Sequence, residues 1–332
     1  MGVEKIISDW KKNIFKPVYW LEGEEEYFID KGVDYAEHHI LKESEASFNL
    51  SIFYGRDANW ADVVNACRRY PMFAERQVIL LKEAQQMRDV EKLESYIENP
   101  LGSTVFVVSY KEKKLDARKK FAKLVKEKGV LVTTKKMYEK DLPEWTQQLL
   151  QSKGLSITQK GLALLVEHIG NDLTRIENEI DKLSVNLGKR TGITEDDIEL
   201  YIGVSKDYNV FELQSALAAK DITRSIRIIQ YFEANPKAGP IQLVLPSLYS
   251  FFSKVFMVFG AGTNDEKTIA TSIGVNPYFM KDYMQAARLY TYPGVEKVLL
   301  LLHNYNLKSV GVGSINTGDA SLMKEMVVKM MA

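Results

Sequence analysis

Gly23-Glu24-Glu25-Glu26 stands at a turn where phosphate chemistry would be expected. Ahead of it Pro17-Val18-Tyr19-Trp20-Leu21 reads as a short apolar strand, and behind it an amphipathic stretch carries Tyr27, Phe28, Val33, Tyr35 and Ile40. A phosphate loop at such a strand-to-helix turn needs several glycines, so that bare amides reach the oxygens, and a Lys-Ser/Thr pair for charge and magnesium. Three glutamates instead suit the positive end of a helix dipole and repel a triphosphate; their plainest reading is a solvated helix start. The second requirement is an Asp-Glu pair after a buried strand, the Asp holding the magnesium shell. Val78-Ile79-Leu80-Leu81-Lys82-Glu83 puts a lysine at the Asp position. Glu83 could activate water, but it has neither phosphate amides nor a metal to work with. Two independent defects in one site predict no intrinsic ATP hydrolysis and no cofactor.

Other catalytic constellations are missing too. The sequence has no Gly-x-Ser-x-Gly elbow and no His-Glu-x-x-His. Its one cysteine, Cys67, allows no internal disulfide and falls on a helical pattern with Val63, as a small buried side chain would. His38 and His39 are adjacent and so do not share a helix face, while His168 and His303 are far away in sequence; no metal site is expected. Lys+Arg and Asp+Glu both total 44, a zero net charge that argues against a chain binding nucleic acid mainly by itself.

The elements that must position these residues alternate over the first part of the 332-residue chain. Apolar runs at 17–21, 48–54, 77–82, 104–109 and 130–133 are separated by helical patterns, including 115–128. Strands buried on both faces with helices between them predict a parallel, doubly wound sheet. The alternation stops near Asp141-Leu142-Pro143, and the rest reads as helix. The expected organisation is therefore an α/β domain over 1–140, with a degenerate P-loop, AAA+-like sheet. A small helical lid over 141–207 and an all-α collar over 208–332 follow. The most membrane-like segment, 241–262, is interrupted by Pro246, Ser247, Ser250, Ser253 and Lys254 and reads as a buried helix pair rather than a span. With no apolar signal-peptide core at the N-terminus, a cytoplasmic location and no membrane partner are expected.

This layout, with four short motifs in order, resembles the delta subunit of the bacterial DNA polymerase III clamp loader over nearly the whole length. The motifs are the opening 17–30 run; Lys114-Leu115-Asp116-Ala117-Arg118-Lys119-Lys120; Gly170-Asn171-Asp172-Leu173 with Glu179, Lys182 and Leu183; and Val210-Phe211-Glu212-Leu213. The resemblance implies a non-hydrolysing subunit of a DNA-directed DNA polymerase holoenzyme, whose first domain binds the sliding clamp (the beta subunit) and helps open the ring. Its third domain would join a collar with the gamma/tau ATPase subunits and delta-prime, and primed DNA would enter the assembled complex.

The family's clamp-binding element is an exposed apolar pair, and the matching positions are Met72 and Phe73, flanked by Tyr70 and Pro71. Methionine departs from the family's frequent leucine, but an unbranched apolar side chain still fills a pocket. The residues themselves point the same way. Pro71 excludes a regular helix, and Arg68, Arg69, Glu75 and Arg76 rim an apolar centre, which is how a binding hot spot is built. The other reading of Met72 and Phe73 is that they cover the sheet edge. Lys111, Lys113, Lys114, Arg118, Lys119, Lys120 and Lys123 form the densest basic run. It reads either as a solvated helix face or as a surface for DNA or clamp acids. Two other functions stay open: an active AAA+ ATPase with an unusual phosphate loop, marked by tight magnesium-dependent ATP binding, and a helical nucleic-acid adaptor, marked by strongly salt-dependent DNA binding.

Overall fold

Strands that are apolar on both sides need cover on both faces. The computed structural model describes residues 2–263, 265–312 and 318–332. It builds one sheet from β1 (Val18–Gly23), β2 (Leu50–Tyr54), β3 (Gln77–Lys82), β4 (Thr104–Lys111) and β5 (Val130–Thr134), all parallel, in the order β2-β3-β4-β1-β5. Around it lie α1 (Gly2–Lys11), α2 (Glu26–His39), α3 (Glu43–Asn49), α4 (Trp60–Cys67), α5 (Glu94–Ile97) and α6 (Lys120–Lys128). Val18, Trp20, Ile79, Leu81, Phe106 and Val108 turn to one face, where Val63, Cys67, Ile97 and Phe121 of α4, α5 and α6 meet them. Their alternating neighbours Tyr19, Leu21, Val78, Leu80, Val105 and Val107 turn to the other, against Val3, Ile6 and Trp10 of α1 and Ile29, Val33 and Ala36 of α2. The helix that follows β1 thus covers the opposite face from the helix that follows β4, although the two strands are neighbours. Open parallel sheets form their ligand crevice at such a switch point, beyond the carboxyl ends of the strands.

Three local expectations need correction. The second strand begins at Leu50, because Phe48 and Asn49 complete α3. The helix expected over 115–128 starts only at Lys120, and residues 112–119 are irregular. The glutamate trio is not a uniformly solvated helix start, since Glu25 is buried.

The chain divides into two compact units between Tyr138 and Glu139. The second unit holds α7 (Leu142–Ser152), α8 (Gln159–Ile169), α9 (Leu173–Leu187), α10 (Glu195–Ile202), α11 (Val210–Ala218), α12 (Ile222–Ala234), α13 (Ile241–Val258), α14 (Glu266–Ile273), α15 (Met280–Ser309) and α16 (Asp319–Met331). Two short strands, β6 (Ser156–Ile157) and β7 (Gly192–Ile193), pair between the first helices. Several starts are set by side-chain caps: Thr158 accepts from Gly161 N, Asp172 from Arg175 N and Asn209 from Glu212 N. Among the described residues α13 alone is long and apolar enough to cross a membrane. Its Val244, Leu248, Phe252 and Val255 are instead buried with Ala286, Tyr290, Val298 and Leu302 of α15. Thr291, at φ 58 and ψ 169, breaks α15 just before Pro293, so the two helical patterns on either side of it are distinct pieces.

Candidate functional site

The crevice beyond β1, β3 and β4 is occupied by the protein's own charges. Lys111, at the end of β4, places its Nζ 2.8 Å from Asp30, 3.1 Å from Glu83 and 3.4 Å from Glu26. Burial works against that charge, but hydrogen bonds to Asp30 and Glu83 outweigh it and hold the ammonium well above the usual lysine range. Lys82, at the position of a metal-binding aspartate, pairs with Glu37 at 2.5 Å. Glu83 itself takes a left-handed φ of 54, with its N–H donated to Ser109 Oγ at 2.9 Å and its carboxylate shared by Lys111 and Gln85. A cleft of 320 Å³ remains beside the cluster, lined by Asp30, Asp34, Glu37, Tyr54, Lys82 and Glu83 among others. Four carboxylates there present the wrong sign to a polyphosphate.

The turn after β1 is closed in the same way. Gly23 has φ +125, and a Cβ on it would lie 2.1 Å from Thr134 O, so only glycine fits. Glu22 is buried and accepts from Leu115 N and Thr133 Oγ1, both at 2.9 Å. Glu24 pairs with Lys114 at 3.0 Å, and buried Glu25 accepts from Met137 N at 3.3 Å. The amides that open α2 therefore lie among carboxylates already committed to protein partners.

The apolar pair sits elsewhere. Residues 68–76 connect α4 to β3 without regular structure. Tyr70 is 76% exposed, Met72 52% and Phe73 96%, with Pro71 half-buried between them. Phe73, at that exposure, covers no sheet edge. It also has φ 54, a left-handed conformation costing a non-glycine residue about 1 kcal/mol or more. Two buried amide side chains fasten the loop at its roots. Asn49 Oδ1 accepts from Met72 N at 2.7 Å, and its Nδ2 donates to Met72 O at 2.9 Å. Gln77 Nε2 donates to Arg69 O at 2.6 Å and to Thr104 Oγ1 at 2.8 Å. Arg76 lies over the Phe15 ring at 4.1 Å. Phe48, next to Asn49 in sequence, is 69% exposed.

The basic run is mostly neutralised. Arg118 pairs with Asp116, Lys119 with Glu91, Lys120 with Glu94 and Glu98, and Lys114 with Glu24. Lys113 and Lys123 carry no ion pair among the described residues. Because residues 112–119 are irregular, Lys113, Lys114, Arg118 and Lys119 do not form a helix face; of the five candidate cations only Lys120 is helical.

Burial pushes the Cys67 thiol up, out of reach of a thiolate at neutral pH. No group of three or more His, Cys, Asp or Glu among the described residues is arranged to hold a metal. Tyr290 and Tyr305 are buried in the helical core, with Tyr290 OH donated to Leu217 O at 2.9 Å. Sequence reasoning missed Asn49 and Gln77 as the anchors of the loop and Lys111 as the filler of the crevice. A buried amide that bonds to a distant backbone has no periodic signature, and Lys111 is one basic residue in a run of them.

A five-stranded parallel sheet in this order, with the turn after β1 and the crevice beyond it taken by the protein's own side chains, defines an α/β domain; a helical second unit follows it. Residues 19–135 match the family model described as DNA polymerase III, delta subunit. The chain is 27% identical over 314 residues to DNA polymerase III subunit delta of Bacillus subtilis (strain 168), covering 90% of each. It is 23% identical over 244 residues to the probable DNA polymerase III subunit delta of Aquifex aeolicus (strain VF5), covering 68% of each. The solved structure of the Bacillus subtilis DNA clamp loader delta protein shares the fold, with a TM-score of 0.54 over 99% of each chain at 24% identity. The resemblance read from the sequence is borne out as a similarity: residues 19–135 match that family's model, and 90% of the chain aligns with a DNA polymerase III delta subunit.

Proposed function

We propose that the chain is the delta subunit of a DNA polymerase III clamp loader, working in the cytoplasm as part of a hetero-oligomer. In this reading Tyr70, Pro71, Met72 and Phe73 bind the sliding clamp, and the binding energy favours an open ring for loading onto primed DNA. The single observation that carries it is the loop itself: an almost fully exposed phenylalanine in a left-handed conformation, beside a backbone held by hydrogen bonds to buried Asn49. Exposed apolar groups on a fixed backbone bind with little ordering cost. The chain makes and breaks no bond. ATP used by neighbouring gamma/tau subunits would control when the loop is presented, a population shift driven by differential contacts. Residues 141–207 act as the lid and residues 208–332 as the collar that meets gamma/tau and delta-prime. The basic run, largely paired within the chain, supplies at most Lys113 and its neighbours to DNA or to clamp acids in the assembled complex.

The test is binding of the purified chain to the sliding clamp of its own organism, without ATP, beside the Met72→Ala/Phe73→Ala variant. Wild type binds, and the variant loses binding. Phe73→Ala alone costs about 2 kcal/mol or more, the scale of an interface hot spot. Wild-type binding that survives the double substitution would move the contact to another surface, and absence of wild-type binding would remove the clamp from the proposal.

A further inference from the structure

We infer that Asn49 is the positioning residue of the docking loop, setting its conformation before a partner arrives; this rests on the clamp-binding reading above. The atoms it touches are the reason. Met72 N belongs to the peptide plane between Pro71 and Met72, and Met72 O belongs to the plane between Met72 and Phe73. Asn49 accepts from the first at 2.7 Å and donates to the second at 2.9 Å, so one buried side chain pins both planes. The second plane is the one from which Phe73 departs at φ 54. With that plane fixed, the ring is projected into solvent. With it free, the backbone relaxes toward the extended region that a phenylalanine prefers, and the ring swings away.

Asn49 is itself held. It ends α3, and its Nδ2 also donates to Glu45 O at 2.9 Å, one turn back. The support is therefore a helix end, not another loop. Met72 and Phe73 are more than half exposed and contribute little to the core, so the fold does not need this conformation. A buried, doubly engaged amide spent on an exposed, strained loop is accounted for by what the loop presents. A partner that meets the projected form does not pay to order it, and the apparent affinity is the intrinsic one divided by no minor-state fraction.

The experiment compares clamp binding by the full chain in four forms: wild type, Asn49→Ala, Phe73→Ala and the double variant. Asn49→Ala weakens binding by about tenfold, and this effect shrinks to below about threefold in the Phe73→Ala background, since the ring it positions is gone. Hydrogen exchange supplies the readout that a general loss of structure would not give: the Met72 amide loses protection in Asn49→Ala while amides of β2 and β3 keep theirs. Should Asn49→Ala not fold, Asn49→Asp has the same shape, keeps the acceptor for Met72 N and lacks the donor for Met72 O; its affinity falls between wild type and Phe73→Ala. Wild-type affinity in a folded Asn49 variant, beside a weakened Phe73→Ala, overturns the positioning role and leaves the clamp reading standing. The same proportional loss in both backgrounds also overturns it, showing that Asn49 acts through the fold at large. No binding by wild type, or wild-type affinity in Phe73→Ala, overturns both.

Discussion

Lys111 decides how the crevice beyond β1, β3 and β4 is stabilised. Its side chain is 14% exposed and faces Glu26, Asp30 and Glu83, three carboxylates that would otherwise repel one another across the crevice. Replacing it by methionine removes the cation that pairs with all three and leaves their repulsion. The partners are partly solvated, so the expected loss of stability is about 1–2 kcal/mol, between a surface pair and a buried one. Denaturant midpoints would measure it, and an unchanged midpoint would show that water already carries these charges. The dependence on pH has a definite sign. Lys111 is held above the ordinary lysine range in the folded chain, so its stabilisation is complete below the unfolded lysine value of about 10.4. It is lost as pH rises through the folded value. The gap between wild type and Lys111→Met therefore stays constant from neutral to mildly alkaline pH and closes only beyond that. This residue also marks a limit of sequence reading. The defects in the phosphate turn and at Lys82 were legible because the required residue types were absent, whereas the group that fills the space came from a strand end 88 residues after Gly23 (111 − 23).

At the scale of elements, the second unit is tied together by polar contacts that its helical periodicity does not announce. Glu167 on α8 accepts from Ser247 Oγ on α13, and Gln214 Nε2 on α11 donates to the same oxygen at 2.8 Å. Lys160 pairs with Glu212 at 2.7 Å, and Asn276 Nδ2 donates to Gln159 Oε1 at 2.9 Å. Helices read as a lid and helices read as a collar thus share a joint. Burial raises the Glu167 carboxyl above the usual range, the Ser247 hydrogen bond pulling it down less, with Glu139 raising it and Lys254 lowering it further. A carboxyl raised on folding costs stability once pH passes from its unfolded value, about 4.3, through its folded one. Glu167→Gln keeps an acceptor for Ser247 without the charge, so it should stabilise the chain at pH 7 by about 1 kcal/mol and lose that advantage below about pH 4. Thermal unfolding at the two pH values checks this; destabilisation at pH 7 would mean that the charge itself holds the joint. The elements were legible where burial was two-sided, as in the strands at 77–82 and 104–109. They were not legible where tertiary contacts choose. Val3, Ile6 and Trp10 make α1 only because the sheet offers a face to cover, and Glu22, by accepting from Leu115 N, favours a loop over 112–119 where the lysine-rich pattern suggested helix.

For the whole molecule, balanced charge and a filled crevice lead to one expectation about nucleotide. A ligand that binds only the folded chain raises its stability by about 2.7 kcal/mol when present at 100 times its dissociation constant. For a chain with units of this size that amounts to a rise of several degrees in the unfolding midpoint. The α2 N-terminus would have to deliver its amides to phosphate past Glu24, Glu25 and Glu26, and a magnesium ion would have to displace Lys82 from Glu37 and Lys111 from Glu83. Each displacement costs an ion pair, and the phosphates bring further negative charge to a site already lined with carboxylates. Magnesium-ATP at about 1 mM should therefore leave the midpoint within about 1 °C of the nucleotide-free value, against the several degrees a bound ligand would give. A rise of several degrees, abolished by Glu83→Gln, would restore the active-ATPase reading and require the crevice to open. If the midpoint stays put while the loop at Met72 and Phe73 binds the clamp, the fold's original site and its working surface have separated. The sheet then serves as a rigid mount, and the chemistry belongs to the partners around it.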